Sequence, residues 1–188
     1  MRCRFVLSGA GGQGVITAAI ILAEAAVYHE RLNAVQTQSY GPEARGGAAR
    51  SDVVVSTEEI RYPKVVRPNV LACLSQEAYD KFSWIVRPGG LIIVDRRFVK
   101  RRRMVDARQV ELDMHDACVD ELKSPLSLNC CLLGAVTGLI DLFKLDSITK
   151  VVEERFSERH RKVNVAAVKL GRQLVQQAGE KVMRFKEN

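Results

Sequence analysis

The chain has 188 residues, of which 47% are hydrophobic and 27% are charged, and its formal net charge at pH 7 is +7. This length and composition exclude a low-complexity chain and predict one domain, residues 1–188, around one ordinary core. The five cysteines contain no C-x-x-C pair, which argues against a disulfide framework and against an iron–sulfur or zinc site. The apolar stretch at residues 15–27 is too short to span a bilayer. We therefore expect a cytoplasmic protein with no metal site and no membrane partner.

The predicted elements begin with a buried strand at residues 3–7, followed at once by a glycine-rich turn and a helix at residues 15–28. Further strands are predicted at residues 34–38, 52–56, 70–73, 91–94 and 109–113. Further helices are predicted at residues 76–84, 128–143, 148–156 after a Ser147 cap, and 163–178. This order predicts an α/β fold: a Rossmann-like, doubly wound, mostly parallel sheet with a C-terminal helical layer.

The turn after the first strand has the spacing G-x-G-x-x-G, in the sequence Gly9-Ala10-Gly11-Gly12-Gln13-Gly14. Glycines there let the backbone bend sharply, so that free N–H groups and the positive end of a helix face one crevice that suits a phosphate or another anion. The second predicted strand ends in amides and hydroxyls rather than the acidic residue that binds a ribose hydroxyl, which argues against ordinary NAD binding. The alternative is that the glycines only permit close packing of the helix on the sheet.

A second unusual stretch, residues 36–47, leaves the second predicted strand and enters the third. Tyr40, Glu43 and Arg45 stand there on a frame of glycine and proline that includes Gly46 and Gly47. This loop is predicted at the carboxyl edge of the sheet beside the glycine turn, where open α/β sheets bind ligands. We therefore expect the two loops to face one crevice. The structural alternative is an ion pair between Glu43 and Arg45 that braces the loop.

The basic residues are scattered except for a cluster after the fifth strand, Arg96-Arg97 and Lys100-Arg101-Arg102-Arg103. A solvated loop, a surface for an acidic partner and a site for a phosphate-bearing ligand all remain open for this cluster. No aromatic platform or nucleic-acid motif accompanies the charges, so we do not expect a nucleic acid as a partner. Asp95, at the end of the preceding strand, either caps the following turn or touches a ligand.

No catalytic residue is predicted. No Ser, Cys or carboxylate stands in a recognisable nucleophile motif with His29, His115 or His160. Cys130 and Cys131 lie in an apolar predicted helix, which indicates core residues rather than reactive thiols.

These motifs together resemble the gamma subunit of 2-oxoacid:ferredoxin oxidoreductases. The resemblance rests on residues 9–15, 40–47, 51–56 and 60–63 in that order, and continues through residues 74–79, 88–90, Asn129, 133–135, Asn164 and Gly171. The uninterrupted run at residues 38–47 is most similar to the 2-oxoglutarate branch, although the pyruvate, ketoisovalerate and indolepyruvate enzymes share much of the pattern. The cluster at residues 96–103 departs from the family motif.

The resemblance implies oxidative decarboxylation of a 2-oxoacid, 2-oxoglutarate to succinyl-CoA in the most similar branch, with ferredoxin as the electron acceptor. Thiamine diphosphate, Mg²⁺ and iron–sulfur clusters are then expected in alpha and beta partner subunits, with a ferredoxin-like delta subunit as a further candidate partner. This chain is expected to be inactive alone and to help hold coenzyme A. The residues that we expect at that cofactor are Gly9, Gly11, Gly12, Gln13, Gly14, Tyr40, Glu43, Arg45, Gly46 and Gly47. The alternative is a free-standing Rossmann-like module that binds a nucleotide or coenzyme A.

Overall fold

The computed structural model describes residues 1–38, 48–102 and 104–185, built on one six-stranded sheet. The strands are β1 (Arg2–Gly9), β2 (Asn33–Gln38), β3 (Ala49–Ser56), β4 (Val70–Cys73), β5 (Gly90–Asp95) and β6 (Ala107–Leu112). The helices are α1 (Val15–Tyr28), α2 (Gln76–Phe82), α3 (Met114–Leu122), α4 (Leu128–Leu139), α5 (Leu145–Arg155) and α6 (Glu158–Gln177). Short 3₁₀ turns lie at Ser83–Ile85 and Pro125–Ser127.

The sheet runs in the order β2-β3-β1-β4-β5-β6. β1, β4, β5 and β6 pair in parallel, whereas β3 is antiparallel to both β1 and β2. The register places Gly9 opposite Ala49 and Gln38 opposite Ser51. The ends of β1 and β2 and the beginning of β3 therefore share one edge of the sheet, the carboxyl edge of the parallel strands. The predicted mostly parallel sheet is confirmed, with β3 as its reversed strand.

The helices cover the two faces of the sheet unequally. One face packs against α1, α3, α4, α5 and α6 through side chains such as Phe5 and Ile93. The other face packs against α2, where Tyr79 lies in one cluster with Ile92. Neighbouring strand residues face opposite layers because the side chains of a strand alternate. The predicted doubly wound arrangement with a C-terminal helical layer is therefore present.

The boundaries of five helices differ from the prediction. α2 ends at Phe82 rather than at residue 84, and α5 begins at Leu145 after an N-cap at Lys144, so Ser147 lies inside α5 instead of capping it. α3 was not predicted, and α6 begins at Glu158 rather than at residue 163. The helix predicted to run to residue 143 ends at Leu139, because Ile140 is extended (φ −132°, ψ 146°), although Ile140, Leu142 and Phe143 are buried. In the described parts of the chain, no helix is both long and apolar enough to cross a membrane.

Candidate functional site

The turn between β1 and α1 is shaped by two glycines and by the side chain of Gln13. Gly12 and Gly14 have φ angles of +86° and +71°, which residues with a Cβ rarely adopt. Gln13 Oε1 accepts a hydrogen bond from the Ala10 N–H at 2.7 Å. Gln13 Nε2 donates to the carbonyl oxygen of Leu74 at 2.8 Å. Gln13 therefore ties the turn to the residue that follows β4.

This turn lies where two adjacent strands send the chain to opposite faces of the sheet. β1 continues into α1 on one face, and its neighbour β4 continues into α2 on the other. Such a divergence opens a crevice at the carboxyl edge, the usual ligand position in open α/β sheets. The hydrogen bond from Gln13 to Leu74 crosses between the two strands at this point.

The outer side of the turn is open, and its inner side is closed. A Cβ placed on Gly11 or Gly12 would meet no heavy atom within 4 Å. A Cβ on Gly9 would come within 2.5 Å of Gln13 Oε1, and one on Gly14 within 2.6 Å of Asn129 Nδ2. A ligand can therefore approach the backbone at Gly11 and Gly12, while Gly9 and Gly14 meet the protein itself.

Unused backbone donors lie on that open side. Among the described residues, the N–H groups of Gly11 and Gly12 make no hydrogen bond, and Gly14 supplies no side-chain cap to the first turn of α1. Unpaired amides at a helix N-terminus, where the helix dipole is positive, suit an anionic oxygen. Residues 9–14 contain no charged side chain, so any attraction for an anion in this turn comes from the backbone.

The structure describes only part of the predicted set of site residues. Gly9, Gly11, Gly12, Gln13 and Gly14 lie together in the turn, whereas Tyr40, Glu43, Arg45, Gly46 and Gly47 lie outside the described residues. Gln38 is the last described residue before that segment, and Ala48 is the first after it. Close to this point, the Ser8 hydroxyl donates a hydrogen bond to the Ala49 carbonyl oxygen at 2.7 Å. The segment therefore begins and ends at the edge of the sheet that carries the turn.

Two contacts at the turn were not predicted. Asn129, at the start of α4, donates from Nδ2 to the Gly14 carbonyl oxygen at 3.4 Å, and the carbonyl of Leu74 receives Gln13. An asparagine at the start of an apolar helix was the one available signal for the first contact. The second contact involves the main-chain oxygen of Leu74. Every residue has such an oxygen, so the residue type gives no sign of this contact.

The basic cluster lies on the loop after β5, at the same edge of the sheet. Each of its arginines that the structure describes has a carboxylate within 2.6–2.8 Å: Arg96 with Asp113, Arg97 with Asp116, Arg101 with Glu111 and Arg102 with Asp80. Gln76 Oε1 accepts from the backbone N–H of Lys100 at 2.7 Å. Arg103 lies outside the described residues. The loop is thus fastened to neighbouring elements, and much of its formal charge is compensated.

Asp95 anchors this loop from inside. Its side chain is buried, Oδ1 accepts from the Arg97 N–H at 2.9 Å, and Oδ2 accepts from the His115 N–H at 2.7 Å. Burial raises the pKa of the Asp95 carboxyl, and the two backbone hydrogen bonds oppose that rise. Of the two predicted roles for Asp95, the structure supports the cap, since both oxygens are used within the protein.

The cysteines belong to the core. All five are free and buried, and burial raises the pKa of the Cys130 thiol to about 12. A hydrogen bond with Cys118, together with burial, raises the pKa of Cys131. The prediction that Cys130 and Cys131 are core residues is confirmed. Over residues 1–38, 48–102 and 104–185, no group of three or more His, Cys, Asp or Glu side chains is placed to hold a metal ion.

Comparison with known proteins gives consistent matches. Residues 4–174 match the family pyruvate ferredoxin/flavodoxin oxidoreductase. The chain is 41% identical over 173 residues to the 2-oxoglutarate synthase subunit KorC of Methanocaldococcus jannaschii, covering 91% of this chain and 92% of that protein. It superposes on the keto/oxoacid ferredoxin oxidoreductase gamma subunit of Geobacter sulfurreducens with a TM-score of 0.87 at 31% identity, covering 95% of this chain and 98% of that one.

A third protein shares the fold within a longer chain. The 2-oxoglutarate:ferredoxin oxidoreductase of Magnetococcus marinus, solved with 2-oxoglutarate, coenzyme A and succinyl-CoA bound, matches with a TM-score of 0.83 at 21% identity, over 94% of this chain and 31% of that one. The resemblance found in the sequence motifs is confirmed by the matches that span nearly the whole chain. This chain therefore belongs to the pyruvate ferredoxin/flavodoxin oxidoreductase family, as a gamma-type subunit.

Proposed function

We propose that this chain is the gamma subunit of a 2-oxoglutarate:ferredoxin oxidoreductase, acting as one domain, and that its glycine turn helps to hold coenzyme A. The 41% identity to a 2-oxoglutarate synthase subunit supports 2-oxoglutarate as the substrate of the assembly. The open backbone at Gly11 and Gly12 supports coenzyme A, because its diphosphate is an anion of the kind that such a turn accepts. The open space beside the backbone of Gly11 and Gly12 is the observation that supports the coenzyme A proposal.

The residues of this chain have binding and positioning roles in the proposal. The amides of Gly11 and Gly12 donate to phosphate oxygens, and the absence of a Cβ at both positions allows the phosphate to approach. Gln13 is a positioning residue, because its amide oxygen and nitrogen are both occupied by Ala10 and Leu74 and hold the turn in shape. Decarboxylation and electron transfer are assigned to thiamine diphosphate, Mg²⁺ and iron–sulfur clusters of partner alpha and beta subunits.

The segment that carries Tyr40, Glu43 and Arg45, with Gly46 and Gly47, is proposed to act beside the turn at the coenzyme A or subunit interface. Its support is the position of Gln38 and Ala49 at the same edge as Gly9. Arg45→Ala and Glu43→Ala should then change the stability of the lone chain by less than about 1 kcal/mol, while raising the KM for coenzyme A or weakening assembly. If the two residues only brace the loop, the lone chain loses stability and coenzyme A dependence is unchanged.

The substrate is tested with the assembled enzyme. The chain is combined with its alpha and beta partners and assayed with 2-oxoglutarate, pyruvate and 3-methyl-2-oxobutanoate, with ferredoxin or a low-potential dye as acceptor. We expect the highest kcat/KM with 2-oxoglutarate and no turnover by the chain alone, which should contain neither iron nor thiamine. Preference for another 2-oxoacid, or turnover by the isolated chain, would contradict the proposal.

The coenzyme A role is tested with two matched glycine variants. Gly12 and Gly89 have φ angles of +86° and +69°, and both have open space where a Cβ would stand, but Gly89 lies before β5 at the opposite edge of the sheet. Gly12→Ala and Gly89→Ala therefore carry similar backbone strain of about 1–2 kcal/mol. Only Gly12→Ala places a methyl group in the crevice, so it alone should raise the KM for coenzyme A, by about tenfold. Equal KM values for the two variants would show that coenzyme A does not bind at the turn.

A further inference from the structure

A groove crosses the face of the sheet that carries α2. It consists of two hollows, of about 530 and 440 Å³, which share Val66 and Ile85 as lining residues. The first hollow lies between residues 83–88 and 104–106, and the second reaches Gln38 at the carboxyl edge of the sheet. We call these two hollows together the α2 groove. Its second hollow reaches the same edge of the sheet as the glycine turn.

The α2 groove exposes large apolar side chains. Trp84 is 56% exposed, Val66 61% and Met104 86%, and all three line the first hollow. Covering apolar surface is favourable by about 25 cal/mol per Å², and exposed apolar patches on soluble proteins mark interaction sites. Tryptophan in particular is enriched among the residues that dominate protein–protein binding energy. The groove is therefore suited to receive an apolar side chain of another protein.

The walls of the α2 groove are held in place by charged groups. The Arg102 guanidinium lies 5.7 Å from the centre of the Trp84 ring, and Arg102 pairs with Asp80 at 2.8 Å. On the other side, Arg50 pairs with Asp52 at 2.6 Å and donates to the carbonyl oxygen of Val65 at 2.7 Å. Because these contacts exist before any partner binds, docking loses little side-chain entropy.

The charge along the rim indicates the chemistry of the partner. Lys64 and Arg67 line the groove and are exposed, and neither has an ion pair with the residues that the structure describes. Two carboxylates also line the groove. Asp106 lies in the first hollow, and Asp52 in the second is already paired with Arg50. A complementary partner presents an apolar side chain flanked by carboxylates, since opposite charges favour encounter and register.

We infer that the α2 groove is the docking surface for another subunit of the oxidoreductase, which inserts an apolar side chain beside Trp84 and places carboxylates opposite Lys64 and Arg67. The inference rests on the gamma-subunit assignment. In the Magnetococcus marinus chain the same fold is 31% of a longer polypeptide, so there it is joined directly to further domains of the enzyme. Because the groove ends at Gln38, a subunit docked in it also reaches the edge that carries the glycine turn.

The test compares groove variants with an exposed leucine elsewhere. Trp84→Ala and Val66→Asp lie in the groove, whereas Leu126, which is 84% exposed, lies in the 3₁₀ turn Pro125–Ser127 on another part of the surface. Each full-length variant is titrated into the remaining subunits, purified without this chain, and the Kd is measured. We expect at least about a tenfold weaker Kd for both groove variants and less than about a twofold change for Leu126→Asp. Lys64→Glu combined with Arg67→Glu should slow association and reduce its dependence on salt.

Two results would overturn the inference. One is an unchanged Kd for both Trp84→Ala and Val66→Asp. The other is loss of self-association of the lone chain with unchanged affinity for the partner subunits, which would make the groove an interface between copies. Val66 is already exposed, so Val66→Asp remains informative if Trp84→Ala lowers the melting temperature. The Gly12→Ala assay for coenzyme A is a separate measurement, so failure of that proposal and failure of this one are distinguishable.

Discussion

Two loops leave the carboxyl edge of the same sheet, and they differ in the groups that they offer to an anion. The turn after β1, residues 9–14, contains no charged side chain, but it has open amides at Gly11 and Gly12. The loop after β5 is rich in arginine, but its described arginines face carboxylates of the same chain. Formal charge in the sequence is therefore a poor guide to anion binding in this chain, because arginines that are already paired with carboxylates attract a further anion only weakly. Backbone geometry is the better guide.

The largest expected effect comes from removing the buried side chain that anchors the loop after β5. Asp95→Ala removes the acceptor of two N–H groups, those of Arg97 and His115, and leaves both donors in a buried site. The free energy of unfolding should fall by about 3 kcal/mol, measured by urea denaturation. Asp113→Ala, which removes an exposed partner of Arg96, is the control and should cost less than about 1 kcal/mol. Similar losses in the two variants would show that Asp95 does not anchor the loop.

The next effect concerns the closed side of the glycine turn. Gly14→Ala requires a Cβ at φ +71° and within 2.6 Å of Asn129 Nδ2, so it should cost about 2 kcal/mol of stability. Adding Asn129→Ala removes the clash but not the strain. The double variant should therefore lose less than the sum of the two single losses, as measured in a double-mutant cycle. Strict additivity would mean that Asn129 does not limit the space at Gly14.

A smaller effect is expected from a substitution on the open side of the same turn. A Cβ on Gly11 meets nothing within 4 Å, so Gly11→Val should change the free energy of unfolding by less than about 0.5 kcal/mol. In the assembled enzyme its side chain occupies the crevice, and we expect the KM for coenzyme A to rise about tenfold, which corresponds to about 1.4 kcal/mol. A KM equal to that of the wild type would place the ligand elsewhere.

The basic loop should show little effect on either measurement. Arg97→Gln and Arg101→Gln each remove an ion pair whose arginine is about half exposed, and such pairs contribute less than about 1 kcal/mol. The KM for coenzyme A should not change, because these guanidinium groups are already paired. A clear rise in the KM for coenzyme A would show that arginines of the basic cluster contact the anion after all.

The smallest expected effect is a dependence on pH. Burial raises the pKa of Asp95 above its ordinary value of 3.8. A carboxyl whose pKa is raised by folding contributes most stability when it is protonated, and this contribution is lost as the pH rises through the folded-state pKa. The unfolding free energy of the wild type, minus that of Asp95→Asn, should therefore decrease as the pH rises above the ordinary pKa of 3.8. A constant or increasing difference would contradict the direction of the pKa shift.

Local pattern was enough to predict most of the sheet and the glycine turn. Each strand is a short apolar or alternating run, and the turn is marked by glycines between a strand and a helix. The reversed direction of β3 was not predicted, because a strand has the same side-chain period whichever way it pairs. α3 was missed because only Met114 and Cys118 of its nine residues are buried, which leaves a weak apolar stripe.

The site was harder to predict because its contacts join residues far apart in the chain. Gln13 sits in a predicted ligand loop, but its partner Leu74 is 61 positions away and contributes only a carbonyl oxygen. The arginines after β5 are visible in the sequence as uncompensated charge. Their carboxylate partners, such as Asp80 for Arg102, come from other elements that only the fold brings close. Periodicity reports which face of an element is apolar, but not which polar groups meet.

The reversal of β3 has a further consequence for how this chain tolerates change in length. Because β2 and β3 are antiparallel neighbours, the connection between them leaves and re-enters the sheet at adjacent strand ends. Residues can therefore be inserted or deleted there without shifting the register of either strand, and each doubling of the length of a loop costs only about 0.6 kcal/mol. The connections from β1 to β2, from β4 to β5 and from β5 to β6 run from the carboxyl edge back to the opposite edge and lack this freedom. The hairpin is the place where a related enzyme can acquire a new contact at the ligand edge by adding residues while the sheet stays as it is.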